Sequence, residues 1–331
     1  MPNYNGVWSL TTQLQYAADW SADNYSGALG FIFGGQNTSG TKLNTIESIK
    51  IFSAGSNVDF GDTIAAIKRT TGFSSSTRAV IAGGDTGSAV NVIQHITMAS
   101  SGDATDFGNL DKARSGCSSL SNSTRGVISQ GSDGSFNNVI QYVTIGSTGD
   151  ASDFGDLTVS RVHGTATSST TRGLFASGAI SGNTSNVIDY ITIGSTGNAS
   201  DFGNLSTTRE QGLDGRGSNG TRGVFCGGSS KETPNAGSDN PQNIIEYVTI
   251  ANTGNATDFG DLSAVRLLTA AVVGGDRLLV TGGSTTENAT NGVNIMEFIT
   301  ITSTGNATDF GDLGTAKVEM AGTSDSHGGL G

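Results

Sequence analysis

The sequence has few of the residues from which most catalytic and metal sites are built. Cys117 and Cys226 are the only cysteines, and His95, His163 and His327 are the only histidines, in 331 residues. The histidines are far apart and belong to no zinc-site, HExxH or Walker pattern, so we predict no metal and no cofactor. The cysteines lie in separate strand-like segments, which is typical of buried thiols.

Positive charge and long apolar segments are also scarce. Lysine and arginine number 17 against 29 aspartates and glutamates, which gives a net charge of −12, and the basic residues form no cluster. This pattern argues against a nucleic-acid or anionic-membrane partner. There is no run of 18 apolar residues, and no charged segment followed by an apolar one at the N-terminus. We therefore expect no membrane insertion and no secretion signal.

What the sequence does contain is an internal repeat, marked by the tripeptide Asp-Phe-Gly. Glycine numbers 50 and hydrophobic residues make up 34%, a composition close to low complexity. The regular period nevertheless excludes disorder, because apolar residues return at fixed places in each unit. Each unit of about 50 residues holds four short strand-like runs separated by Gly, Ser and Asn, which is the pattern of a four-stranded propeller blade. The phenylalanines are Phe60, Phe107, Phe154, Phe202, Phe259 and Phe310.

Three further kinds of residue recur at fixed distances from these phenylalanines. An asparagine begins the third strand, a glycine ends the second strand, and in five units an arginine follows the polar turn before the second strand, 18 residues after the phenylalanine or, in one unit, 20. Asparagine can bond local backbone, and glycine permits positive φ and close approach, so we interpret these residues as architectural. The acidic turns offer too few adjacent oxygen ligands to predict Ca²⁺ binding. The structural repeat residues are Asn91, Asn138, Asn186, Asn243, Phe107, Phe154, Phe202, Phe259, Gly84 and Gly228.

These motifs resemble the kelch repeat, over roughly residues 21–331. In that family a Gly-Gly pair ends the second strand, a tyrosine lies in the third strand, an aromatic residue precedes the fourth, and an arginine opens the next blade. Here phenylalanine stands where kelch repeats use tryptophan, so the sequence resembles a kelch-like variant. The resemblance implies a ring of blades without implying an activity. The matching tyrosines and arginines are Tyr142, Tyr190, Tyr247, Arg114, Arg161, Arg209 and Arg266.

We therefore predict an all-β, six-bladed, kelch-like β-propeller with four-stranded blades. The first recognisable strand corresponds to a second strand, and Lys317 begins a first strand without a blade of its own. The simplest interpretation is that the C-terminal strand joins the first blade and closes the ring, which would hide both free edges. Residues 1–20 lie outside the period and are predicted to be an arm that packs on the propeller or docks it to another protein.

Recognition is expected at the loops between the second and third strands, because they vary in length while the opposite turns hardly vary. We call them the 2→3 loops. They span residues 36–43, 85–90, 132–137, 179–185, 229–242 and 284–293. The longest, Ser229 to Gln242, is the best single candidate, with a tolerated insertion as the alternative. Its candidate receptor-binding residues are Lys231, Glu232, Asn235 and Asp239.

A second resemblance bears on function. The Gly-Val-Trp-Ser-Leu opening, the Asn-Val-Ile-Asp-Tyr-Ile-Thr-Ile blades and the terminal Ser-His-Gly-Gly-Leu resemble repeat modules of tail-fibre and other virion proteins of aquatic bacteriophages. This implies a non-enzymatic virion protein, assembled in the host cytoplasm, that contacts other virion proteins through residues 1–20 and a host glycan or protein through its loops. Whether copies of the chain associate is left open. The alternatives are a bacterial lectin-like or protein-binding propeller and, third, a glycan hydrolase.

Overall fold

The computed structural model describes residues 28–214, 217–231, 239–286 and 289–326. The described chain is all-β, with a propeller-like arrangement of antiparallel strands and a single short 3-10 helix, Ala289–Asn291. No helix in these ranges is long and apolar enough to span a lipid bilayer. The predicted arm, residues 1–20, lies outside the described residues.

The strands follow the repeat along the chain. The first fourteen are β1 (Leu29–Phe33), β2 (Gln36–Asn37), β3 (Thr45–Lys50), β4 (Val58–Asp62), β5 (Thr71–Ser74), β6 (Arg78–Ala82), β7 (Val90–Thr97), β8 (Thr105–Ser121), β9 (Arg125–Ser132), β10 (Asn137–Thr144), β11 (Ser152–Arg161), β12 (Thr165–Ser168), β13 (Arg172–Ala176) and β14 (Ala179–Ile180). The others are β15 (Asn183–Thr192), β16 (Ser200–Arg209), β17 (Leu213–Asp214), β18 (Arg222–Cys226), β19 (Ser229–Lys231), β20 (Asp239–Pro241), β21 (Ile244–Thr249), β22 (Thr257–Asp261), β23 (Thr269–Gly274), β24 (Arg277–Thr281), β25 (Ile295–Thr300), β26 (Thr308–Asp312), β27 (Lys317–Val318) and β28 (Ala321–Ser324).

The repeated phenylalanine is the extra residue of a β-bulge. In the first repeat Ile46 lies opposite Gly61 and Glu47 opposite Asp59, so Phe60 has no partner in the register. The same shift occurs at the corresponding place in the other five repeats. A bulge bends its strand and redirects one side chain. Here the redirected ring packs edge-on against an aromatic residue or histidine, with ring centroids 5.0–6.2 Å apart.

The hydrophobic core consists of six separate clusters, each shared by two repeats. Phe107, for example, packs in one cluster with Phe73 from its own repeat and with Ile128 and Val143 from the next. Another cluster joins the two ends of the chain, because Ile32 and Ile49 pack in it with Phe310 and Leu313. Burial of these side chains between repeats, rather than within one repeat, makes each repeat depend on its neighbours.

Hydrogen bonds do not divide the strands into the six separate four-stranded sheets that the repeat predicts. They give four sheets of four or more strands and three smaller ones. One sheet has seven strands, because the 17-residue strand β8 continues from the outer edge of one repeat into the inner position of the next. Another, β18-β21-β22, has only three strands, because Ser218 makes an isolated bridge to Gly223 in place of an inner strand.

The two ends of the described chain pair with each other. Strand β28 is antiparallel to β1, with Gly30 opposite Ser324 and Phe33 opposite Ala321. Beside this pair, the buried ammonium of Lys317 forms an ion pair with Glu47. The pairing expected between the C-terminal strand and the first repeat is therefore present, and it covers the edge of β1.

Buried ion pairs recur at the place that Lys317 and Glu47 occupy. Arg161 lies 2.9 Å from Asp189, with both side chains fully buried, and Arg209 lies 2.5 Å from Glu246. Burial lowers the pKa of Arg161 to about 10, an effect that the Asp189 carboxylate opposes. The guanidinium therefore stays charged at neutral pH. Removing either member of such a pair would leave the other charge buried without a counter-ion, at a large cost in the free energy of unfolding.

Candidate binding pocket

The six repeats meet at six residues, each nine positions after the repeated phenylalanine. Each donates its backbone N–H to the carbonyl of the preceding one, and Arg69 donates to Glu319, so that the bonds return to their starting point. The N···O distances are 2.7–3.1 Å. We call this set the central ring, and it consists of Arg69, Gly116, His163, Gln211, Leu268 and Glu319.

All six residues of the central ring have a left-handed backbone, with φ between 53° and 67°. Only one of them is a glycine, so the other five hold a conformation that costs an L-residue of order 1 kcal/mol or more. The bonds use only backbone atoms, so the ring places no requirement on the side chains. The six equivalent side chains at these positions are all different, which makes these positions candidates for function.

A cavity with about 50 Å³ of free space lies at the central ring. The residue before each ring residue pairs with a residue at the start of a 2→3 loop, as in Lys68 with Asp85 and Glu210 with Ser229. The cavity therefore lies on the side of the molecule that carries these loops. We call it the central pocket, and it is lined by Arg69, Gly116, Cys117, His163, Gly164, Gln211, Gly212, Leu268, Thr269, Glu319 and Met320.

One side of the central pocket carries a cluster of charges from both ends of the chain. The carboxylate of Glu319 is almost fully buried and accepts a hydrogen bond from Nε of Arg69 at 2.6 Å. Its other oxygen lies 2.7 Å from Nζ of Lys68, which also donates to Gln36. The Arg69 side chain is 37% exposed, and its two Nη groups have no partner among the described residues. Two cations thus face one carboxylate, and the guanidinium fork remains accessible.

The opposite side of the central pocket is formed by His163 and a buried glutamine. A Cβ on Gly116 would lie 2.2 Å from the His163 ring, so this glycine makes room for the imidazole. Nδ1 of His163 lies 3.7 Å from the buried carboxylate of Glu210. Gln130 accepts a hydrogen bond from the amide of Gly164 at 2.8 Å and holds the wall of the pocket in place. These contacts fix the imidazole at the edge of the cavity.

The charged groups farther out on this face are paired. Lys42 lies 3.3 Å from Asp85, which also accepts a hydrogen bond from the amide of Gly87. Burial alone would raise the pKa of Asp85, but the Gly87 amide and the Lys42 ammonium hold it below its usual value. Asp85 is therefore ionised at neutral pH and neutralises Lys42.

The predicted receptor-binding loop forms a hairpin on the same face. Ser229 pairs with Pro241, and the backbone of Lys231 pairs with that of Asp239, in the two-stranded sheet β19-β20. The other two candidate residues, Glu232 and Asn235, lie outside the described residues. The assignment of receptor binding to this loop stays a prediction.

The residues predicted to be architectural contact backbone or core. Phe107, Phe154, Phe202 and Phe259 are all buried. The amides of Gly84 and Gly228 donate to the carbonyls of Arg114 and Arg266, at φ of 117° and 98°. The side chain of Asn186 donates to the carbonyl of Leu205, and the backbone carbonyl of Asn243 accepts from Leu262. Asn91 and Asn138 are partly buried in the equivalent strands β7 and β10.

Two further kinds of chemically active side chain in the described ranges are the possible metal ligands and the two cysteines. In the described ranges, no three His, Cys, Asp or Glu side chains come together in a way that could hold a metal ion. Cys117 and Cys226 are buried and form no disulfide. Burial raises the pKa of Cys226 to about 12, so this thiol is protonated at neutral pH.

Nothing matches this sequence in comparisons with protein-family models and with curated proteins. The central ring was not found from the sequence, because its members share no residue type. The signal that reveals it is positional: each member lies at the same distance from a repeated phenylalanine.

Proposed function

We propose that the six repeats are six blades of a closed, kelch-like β-propeller. Support comes from the six hydrophobic clusters between successive repeats, one of which joins the last repeat to the first. The hydrogen bonds of the central ring also pass once through every repeat. On this interpretation the seven-stranded sheet is two adjacent blades joined through β8, and the three-stranded sheet is a blade with an irregular inner strand.

On this frame we propose a non-enzymatic recognition protein that binds through the face carrying the central pocket. The observation that carries this proposal is the divergence of the central ring. The phenylalanine, glycine and asparagine of the repeat motif recur from repeat to repeat, whereas the six ring side chains include a cation, an anion, an imidazole, an amide, an aliphatic chain and none. Varied side chains on a rigid frame, surrounded by variable loops, are typical of a binding surface.

We further propose that the protein belongs to a bacteriophage particle, as a tail fibre or another appendage, and that it recognises the host surface. This part rests on the resemblance of the repeat modules and of the opening and closing segments to virion proteins. The polar, serine- and threonine-rich surface is compatible with contact to a host glycan or protein. Residues 1–20 are the proposed docking segment to other virion proteins.

Binding of the purified full chain to whole bacterial cells tests the recognition proposal. We expect binding that depends on the strain and falls when the central pocket or the long loop is altered. The pocket variant is Arg69→Gln with Glu319→Gln, which removes a cation and its anion together. The loop variant replaces 229–242 by the shorter 85–90 segment, which already closes another repeat of this chain. The control is Lys50→Gln, at an exposed lysine that ends β3 on the side away from the 2→3 loops.

The outcomes separate the possibilities. Equal binding by the wild type and both variants would contradict recognition through this face. A folded protein that binds no strain would contradict host recognition altogether and leave a purely structural role. Mass spectrometry of purified particles tests the virion assignment. Cell binding by a protein that is absent from particles would instead favour the bacterial lectin-like or protein-binding propeller.

A further inference from the structure

We propose that the central pocket binds a carboxylate group, carried by an acidic sugar or another small organic acid. This inference rests on the proposed recognition function and names the chemistry of its ligand. It follows from the charge at the pocket, from the donors that face it and from the size of the cavity.

The charge at the pocket favours an anion on the side of Arg69. Lys68 and Arg69 share one carboxylate, that of Glu319, so these three groups together carry one net positive charge. This excess is local, since the chain as a whole has a net charge of −12. Glu319 cannot bind a further cation well, because both of its oxygens already contact one. The other carboxylate nearby, Glu210, is buried against His163.

The groups that remain accessible at the pocket are mostly hydrogen-bond donors. The backbone amides and carbonyls of the central ring bond to one another, so they offer little to a ligand. The donors left are the two Nη groups of Arg69 and the side-chain amide of Gln211. The planar fork of an arginine matches the two oxygens of a carboxylate.

The cavity limits what can enter. It holds about 50 Å³. One water molecule needs about 10–15 Å³ of such free space, so the cavity takes only a few non-hydrogen atoms. A carboxylate group fits this space, whereas a complete sugar ring does not. The rest of the ligand would therefore lie at the mouth of the pocket, beside the 2→3 loops.

Calorimetric titration of the full-length protein tests this inference with three probes: glucuronate, glucose as its neutral counterpart, and acetate. We expect glucuronate to bind at least about tenfold more tightly than glucose, as a charge-assisted pair requires. Acetate separates the two sources of the carboxylate. Acetate that binds as well as glucuronate indicates recognition of the carboxylate alone, and weaker binding of acetate indicates additional contacts to the sugar.

The variant Arg69→Gln with Glu319→Gln should lose glucuronate binding by about tenfold or more. Because it removes both members of the Arg69–Glu319 pair, only Lys68 loses a carboxylate partner, and Lys68 still donates to Gln36. Thermal unfolding verifies that the variant is folded. The control Lys50→Gln should bind as the wild type does. Equal affinity for glucuronate and glucose, or unchanged binding in the double variant, would overturn the inference.

This failure is distinguishable from failure of the proposed function. If the double variant still binds cells strain-selectively while no carboxylate binds the wild type, recognition stands and its ligand is of another class. If glucuronate binds as expected and no cell does, the pocket chemistry stands and host recognition does not.

Discussion

The Asp-Phe-Gly motif places the phenyl ring of its phenylalanine in the core and the backbone of its glycine against the next repeat. The phenylalanine is the bulged residue, and the glycine after it lies directly against the turn between the third and fourth strands of the neighbouring repeat. A Cβ on Gly155 would be 2.5 Å from the carbonyl oxygen of Gly197, and similar distances apply at four of the other junctions. At the junction between the last repeat and the first the contact is looser, since a Cβ on Gly311 would be 3.4 Å from the Gly55 oxygen.

Substituting these glycines should therefore have unequal effects. We expect Gly155→Ala to lower the free energy of unfolding by about 2–3 kcal/mol, because a backbone carbonyl cannot move aside cheaply. Gly311→Ala is the matched control, because Gly311 has a similar φ and no close contact. Its loss in the free energy of unfolding should be smaller than that of Gly155→Ala by about 1 kcal/mol or more. Urea unfolding of both variants provides the measurement. Equal losses would show that the backbone conformation, and not the close approach, requires the glycine.

His95 stands where three other repeats have tyrosine. In those repeats an arginine lies over the tyrosine ring at 4.3–4.7 Å from its centroid. Burial, and next the charge of Arg78, lowers the pKa of His95 below the usual histidine value of about 6.5. The native state thus binds this proton less readily than the unfolded state does. Stability from the neutral imidazole is present above about pH 6.5 and is lost as the pH falls through the lower native pKa.

We expect His95→Tyr to stabilise the protein by about 0.5–1 kcal/mol at neutral pH, through a new contact with Arg78. It should also reduce the loss of stability between about pH 7.5 and about pH 5.5. Denaturant unfolding of wild type and variant at both pH values measures this. An unchanged pH dependence would mean that His95 does not titrate differently in the two states.

Single residues that every repeat shares could be interpreted from the sequence. The phenylalanines and the strand-ending glycines have the backbone and core contacts that their types suggest. The position thirteen residues before the phenylalanine could not be interpreted in this way, because it holds glutamate, glutamine or aspartate in different repeats. Its role depends on a cation far along the chain, such as Lys317 for Glu47, and spacing within one repeat does not reveal that partner.

The position thirteen residues before the repeated phenylalanine also connects pairs of strands. Its side chain accepts a hydrogen bond from the backbone that leads into the repeat, as Glu246 does from the amide of Ser206. In the repeat with Gln141 the buried base has another partner, since Arg114 lies 2.9 Å from Asp111, and in the repeat with Gln94 the position of the base holds Ile67. The changes at the two sites are thus coupled, since a buried cation without an anion is costly.

Glu246→Gln should therefore destabilise the protein by about 3 kcal/mol, because it leaves Arg209 buried without a counter-ion. Adding Ser206→Asp reproduces the arrangement of Arg114 with Asp111 and should restore much of the loss. Thermal and urea unfolding of the single and double variants measures the coupling between the two positions. A double variant no more stable than Glu246→Gln alone would contradict the role assigned to the ion pair.

At the scale of strands the sequence predicted the number of repeats but not how hydrogen bonds divide them. Four strand-like runs per unit are visible in the sequence, and the described chain has strands at the corresponding positions except at the inner position beside β18. Strand β8 nevertheless joins two units, although segments 156–162 and 261–267 of other repeats lack glycine and proline just as 109–115 does. Its continuity is decided by pairing with β7 on one side and β9 on the other. Such pairing depends on contacts between repeats, which the local pattern does not contain.

The whole molecule is held together between its two ends, and the same contacts build the central pocket. Strand β28 pairs with β1, Lys317 pairs with Glu47, and the charge cluster of the pocket joins Arg69 to Glu319. In the described chain the outer junction at this place lacks a bond that the other five have, namely one from the turn glycine to the carbonyl of the repeated phenylalanine. The C-terminal strand therefore makes most of the described contacts between the last repeat and the first.

The central claim is that this strand closes the repeats into one ring and completes the pocket. The most direct test compares the full chain with a chain ending at residue 314, by thermal unfolding and small-angle X-ray scattering. We predict a markedly lower melting temperature and a larger radius of gyration for the shortened chain, since it exposes the edge of β1 and leaves Glu47 buried without its cation. A shortened chain with the melting temperature and the radius of the full one would contradict the claim.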